Sequence, residues 1–199
     1  MVTVSASEKS LRIAQLIHEH QQVIENLLRV NQTAIAYLCE EVRGRMEKGA
    51  KILLAGNGGS AADCQHIAAE FVGRYKRTRC ALPAIALTTD TSIITAIGND
   101  FGFAEIFGRQ VSALGCEQDI LILISTSGNS ENLLRAAAAA RQNRMFTAAF
   151  LGKDGGALAA CVDLPIVVPG TETARIQEAH ILIGHILCEY CDDCTAIHS

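Results

Sequence analysis

Residues 119–130 read DILILISTSGNS, an unbroken apolar run that gives way to hydroxyls, a glycine and an amide just before the helical segment Asn132–Arg141. A strand with one wet face alternates apolar and polar residues. An unbroken run of this kind marks a strand buried on both faces of a parallel sheet. Working outward, the pattern recurs in KILLAG (51–56), PAIALTT (83–89), FTAAFLG (146–152) and DLPIVVP (163–169), each followed by polar or glycine-rich residues. Helical segments are predicted at Ala61–Val72, Ala104–Leu114, Asn132–Arg141 and from about Thr173 onward. Strands alternating with helices imply a three-layer, doubly wound α/β fold with five parallel strands.

Upstream, about Glu8 to Lys48 reads as helix in two pieces. Ile13, Ile17, Ile24, Leu28, Ile35 and Leu38 form one apolar stripe, and Gly49 supplies the stop. The stripe packs either on its own domain or on another subunit. Residues 1–48 are thus a helical extension of the α/β core, 49–199, within a single domain of 199 residues.

Composition narrows the function classes. The net charge is −4 and no Lys/Arg-rich run interleaves with aromatics, so nucleic acid is not an expected partner. No apolar run approaches the ~18 residues of a membrane span, and the N-terminus lacks the pattern of a signal peptide. The expected compartment is the cytoplasm, with the eight cysteines as thiols. Cys64 and Cys161 read as small packing residues, and His18, His20 and His198 as solvent-facing.

Ligands of open parallel sheets bind beyond the carboxyl ends of the strands, near the point where strand order reverses. That directs attention to GNGGS (56–60), TTDTS (88–92), STSGNS (125–130), GKDGG (152–156) and PGTETAR (169–175). Asn57-Gly58-Gly59-Ser60 is neither a dinucleotide fingerprint nor a Walker motif; it is a tight turn or an anion cradle. In Ser125-Thr126-Ser127-Gly128-Asn129-Ser130, Asn129 or Ser130 can cap the next helix. Capping alone does not need four hydroxyls, and a helix start rich in hydroxyls and amides suits a phosphate.

His66 and Glu70 share a helix face four residues apart. Gln177, His180 and His185 lie on the last helix. Imidazole, carboxylate and amide oxygen are N/O donors suited to Zn²⁺, and histidines titrate near neutrality. The same residues also read as a surface ion pair and as packing groups. Gln177 and His185 stand eight residues apart, about 12 Å along a helix, which is far for one ion.

Four stretches together, GNGGSAADCQHIAAEFVGRY (56–75), LPAIALTTDTSIITAIGNDFGF (82–103), ISTSGNSENLLRA (124–136) and TARIQEAHILIGHILCE (173–189), resemble the phosphoheptose isomerases of the sugar-isomerase (SIS) domain superfamily. The resemblance implies interconversion of sedoheptulose 7-phosphate and D-glycero-D-manno-heptose 7-phosphate, an early step toward ADP-heptose for surface polysaccharides. It also implies a homotetramer with sites at subunit interfaces and one Zn²⁺ per subunit, held by His66, Glu70, Gln177 and His185. The implied substrate contacts are Asn57, Gly58, Gly59, Glu70, Asn99, Asp100, Ser125, Thr126, Ser127, Ser130 and Gln177, with Arg74 facing the site. Glu70 and His185 are the implied acid–base pair of an enediol mechanism. Two other roles occur in the superfamily: a non-catalytic protein that binds the replication initiator, and a sugar-phosphate-binding regulatory module. The presence of His66, Glu70 and His185 together favours the enzyme. Cys188, Cys191 and Cys194 form a C-x₂-C-x₂-C string that reads as thiols on a terminal helix rather than as a metal site.

Overall fold

The apolar runs do become strands. A computed structural model describes residues 6–192. In it β1 (Ile52–Gly56), β2 (Ala84–Ala86), β3 (Ile120–Ser125), β4 (Phe146–Leu151) and β5 (Leu164–Val167) form one parallel sheet, ordered β2-β1-β3-β4-β5. Every residue of β1, β3 and β4 is buried, which is why these segments carry no polar alternation. The helices are α1 (Ala6–Met46), α2 (Gly59–Val72), α3 (Thr91–Phe101), α4 (Gly108–Leu114), α5 (Glu131–Gln142) and α6 (Thr173–Cys191).

Successive strand residues point to opposite faces. Ile52, Leu54, Ile120, Ile122 and Ile124 pack in the layer with α1, α2 and α6, whereas Leu53, Ala55, Leu121 and Leu123 pack in the layer with α4 and α5. From β1 the chain passes through α2 to β2 on one side, then crosses back to β3 on the other. The carboxyl ends of β1 and β3 therefore flank the switch point.

Three expectations need correction. The N-terminal helix is one continuous rod of 41 residues rather than two pieces. It contains no proline, and its first glycine is Gly44, close to its end. Its carboxyl half joins the core through Leu27, Ile35, Leu38, Cys39, Val42 and Met46, while Leu11, Ile13 and Ile17 of the amino half are exposed. The stripe is thus divided: one half lies on its own domain and the other is uncovered by it. Second, α3 was not anticipated. Asp90 starts it by accepting a 2.9 Å hydrogen bond from the Ile93 amide. Third, the helix expected over Ala104–Leu114 begins at Gly108, after a single 3₁₀ turn at Phe103–Glu105. Among the described residues no helix is long and apolar enough to cross a membrane.

Candidate active site

The two helices that leave β1 and β3 both start without a side-chain cap, so no capping side chain occupies their first amides. At the first, Gly58 has φ +55°, a conformation that favours glycine. A Cβ on Gly59 would lie 2.5 Å from the Gln177 Nε2, so α6 lays its amide directly over the turn. Asn57 exchanges two hydrogen bonds, of 3.0 and 2.9 Å, with the buried Asn132 of α5, which ties the two loops together.

At the second, Ser130 occupies the N-cap position but makes no capping hydrogen bond. Asn129 does not cap either: its carbonyl accepts from the Ala157 amide and its NH₂ donates to the Ser127 carbonyl. Ser125 Oγ accepts from the Gly128 amide at 3.0 Å and Ser127 Oγ from the Asn129 amide at 3.3 Å. Two of the four hydroxyls thus shape the loop. The loop is also locked from outside, because a Cβ on Gly128 would sit 1.9 Å from the Gly155 carbonyl. The result is a stiff cradle at a helix start with positive partial charge.

Beside these loops α2 and α6 form a polar seam. His66 Nε2 and His185 Nε2 are 2.9 Å apart, one imidazole donating to the other. Glu70 Oε1 is 3.7 Å from His66 Nε2, and its side chain is one quarter exposed. The Tyr75 ring stacks on His185 at 5.6 Å between centroids, while His66 meets the same ring edge-on at 5.1 Å. His185 therefore contacts two rings, Tyr75 across its face and His66 at Nε2.

The donor set fits a divalent ion in kind. Two imidazole nitrogens bound to a tetrahedral zinc stand ~3.3 Å apart; here the His66 and His185 nitrogens are 2.9 Å apart, and Glu70 Oε1 lies 3.7 Å from the His66 nitrogen. As it stands, no group of three His, Cys, Asp or Glu side chains among the described residues is placed to hold a metal. Here the two histidines bond to each other.

His180 stands apart from this seam. It is fully buried and donates from Nε2 to the Leu151 carbonyl at 3.0 Å, leaving Nδ1 without a partner. Burial, partly opposed by that bond, pushes its imidazole down to about 4. It is a core residue. Asn99 and Asp100 bond to each other at the end of α3, and Arg74 is exposed at the start of the α2–β2 connection.

Three residues near the site escaped the sequence reading. Asn132 and Tyr75 carry no local signal, since their partners are 75 and 110 residues away. Asp63 did carry one, its i, i+3 spacing to His66. Its Oδ2 is buried without a partner, and burial raises its carboxyl pKa against the pull of His66.

Among the cysteines, Cys64, Cys188 and Cys191 are buried and Cys194 lies outside the described residues. Burial, reinforced by Glu70, pushes the Cys188 thiol up to about 12, as suits a packing residue. Cys161, read as packing, is exposed. His18 is exposed, whereas His20 is half-buried against Glu178 at 2.7 Å rather than solvent-facing, and His198 lies outside the described residues.

A SIS domain family model matches residues 15–152. The phosphoheptose isomerase of Geotalea daltonii is 51% identical over 177 residues, covering 89% of this chain and 92% of the relative. Two solved structures are similar throughout. A phosphoheptose isomerase from Francisella tularensis superposes with a TM-score of 0.89 at 39% identity, over 92% of this chain and 98% of the other. One from Neisseria gonorrhoeae superposes with a TM-score of 0.86 at 43% identity, with the same coverage. Matched in fold and in sequence over most of its length, the chain belongs to the SIS domain family, among the phosphoheptose isomerases, and is a sugar-phosphate isomerase.

Proposed function

We propose that this enzyme interconverts sedoheptulose 7-phosphate and D-glycero-D-manno-heptose 7-phosphate in the cytoplasm, early in ADP-heptose formation. The observation that carries the reading is the His66–His185 pair, with Glu70 beside it, standing next to two uncapped helix starts. The phosphate rests on the α5 amides and the hydroxyls of Thr126, Ser127 and Ser130, with Ser125 holding the loop's shape. The sugar chain then runs across Asn57, Gly58 and Gly59 toward the seam, under the Gln177 amide.

Aldose–ketose exchange moves a proton between adjacent carbons through an enediol. Glu70 takes the proton from the carbon next to the carbonyl, and His185 transfers a proton at oxygen. His66, Glu70, Gln177 and His185 are the donors that would hold one Zn²⁺. That ion, when bound, supplies a positive charge that stabilises the enediolate. A carboxylate that ligates a cation is a weaker base, so the two tasks of Glu70 compete.

A homotetramer with sites at subunit interfaces accords with two features of the single chain. No residue of α3 is fully buried, and while Ile94 and Ile97 rest partly on the core, Ile93 and Phe101 stand exposed. An apolar groove of about 360 Å³ also runs between α1 and α6, lined by Ile24, Leu28, Ile35, Leu182 and Ile186 among others. In such an assembly α3 carries Asn99 and Asp100 to a site. The test is direct: aldose–ketose conversion is followed with heptose 7-phosphate and with pentose and hexose phosphates, before and after chelation, alongside metal analysis. Tight binding without turnover would support the regulatory module instead.

A further inference from the structure

Between α2 and β2, residues 73–83 form no helix or strand, yet a set of buried hydrogen bonds pins them. The carboxylate of Asp192, just past α6, accepts from the amides of Lys76 at 2.9 Å and Arg77 at 2.7 Å, and from Arg79 Nε at 3.0 Å. Arg79 donates onward from Nη1 to the carbonyls of Phe71 and Cys80 and from Nη2 to that of Glu70, each at 2.9 Å. The two side chains are 5% and 4% exposed. An ion pair taken out of water is tolerated only when its hydrogen bonds are nearly all met, and here they are.

This pair joins the last turn of α2 to the end of α6, the two helices whose side chains meet at the seam. Glu70 and Phe71 contribute two of the carbonyls that a helix end leaves unpaired. Within the loop so held, Tyr75 lies on the His185 ring with only 27° between the planes. Lys76 adds a second tie, 2.7 Å from Glu189 of α6. Nothing in a surface connection requires this much buried bonding, whereas a ring that must keep one orientation does.

We propose that Tyr75 is a positioning residue for His185, and that the buried Arg79–Asp192 pair is the clamp that keeps it there. The proposal rests on the isomerase reading for its consequence in turnover, but not for its geometry. Stacking uses the ring and not the hydroxyl, so phenylalanine should serve and alanine should not.

The protein has no tryptophan, so Tyr75→Trp creates a single reporter. Its indole should be shielded and quenched by the imidazole. Adding Asp192→Asn should shift its emission to the red and raise its yield while thermal unfolding stays cooperative. If Asp192→Asn does not fold, Arg79→Lys, which keeps the charge but loses the fork, replaces it. In turnover, Tyr75→Ala should lose about tenfold in kcat with little change in KM, and Tyr75→Phe should restore most of it. Emission that ignores the clamp, or an alanine variant as fast as the phenylalanine one, overturns the proposal. Should the parent protein convert no sugar phosphate at all, the isomerase reading fails and the reporter alone decides the clamp.

Discussion

The α2–α6 seam and the amino half of α1 use helical periodicity for opposite ends. In the seam, residues spaced by one turn present imidazoles and a carboxylate, held by stacking and by a buried ion pair behind them. In the amino half of α1, the same spacing presents Ile13 and Ile17 to water, each more than half exposed. A face that expensive to leave wet points to cover from outside the chain, whereas the seam is assembled almost wholly from within. The pattern in sequence is similar; what differs is which side of the helix the rest of the fold occupies.

Breaking the seam should produce the largest effect. Glu70→Gln or His185→Ala should lower kcat by ~10²–10⁴-fold while the thermal midpoint barely moves, because neither group is buried in the core. Near-normal turnover in a folded Glu70→Gln protein would remove Glu70 from proton transfer.

The second experiment sharpens the contrast within α6 itself. His180 is buried neutral with its pKa lowered to about 4, so the unfolded chain takes up a proton near pH 6.5 that the folded one refuses. Stability contributed by this site is full above pH 6.5, falls by roughly 3 kcal/mol as pH drops toward 4, and levels off below. His180→Gln keeps a donor for the Leu151 carbonyl and should flatten that limb in denaturant titrations, with turnover retained. An unchanged acid limb would place the proton uptake elsewhere.

A third test breaks the other member of the comparison. Ile13→Glu combined with Ile17→Glu should weaken self-association by about 100-fold or more, read by sedimentation, if this face is covered by another subunit. An unchanged assembly mass would show that the face has no partner.

The smallest effect is expected at Gly59. Its backbone accepts alanine, but the new Cβ would meet the Gln177 amide at 2.5 Å. The flexible side chain can swing aside, so Gly59→Ala should cost only ~1 kcal/mol, about fivefold in kcat/KM.

Much of this was legible in the chain. Unbroken apolar runs could be read as strands because β1, β3 and β4 are buried on both faces and tolerate no polar residue. The set of strand-end loops to inspect followed from the alternation of strands and helices, but only the strand order showed that β1 and β3 flank the switch point. The His66–Glu70 pair followed from a single helical turn. α3 was harder to read, because Ile93, Ile94, Thr95, Ile97 and Gly98 are weak helix formers even though Ile94, Ile97 and Phe101 fall one turn apart.

By itself, then, the sequence determined the five strands, most of the helices and the candidate donors, since these depend on spacings within one turn or one strand. Spacing alone left His180 and His185 open, the same chemical group five residues apart on one helix; the family resemblance pointed to His185, and the tertiary structure supplies the physical reason. One turns into the core and stays neutral; the other faces α2 and meets His66. Tertiary structure also brought Tyr75 onto His185 and Asp192 onto the α2–β2 connection, through contacts spanning more than a hundred residues. Burial and long-range contact are properties of the packed chain, and no local spacing encodes them.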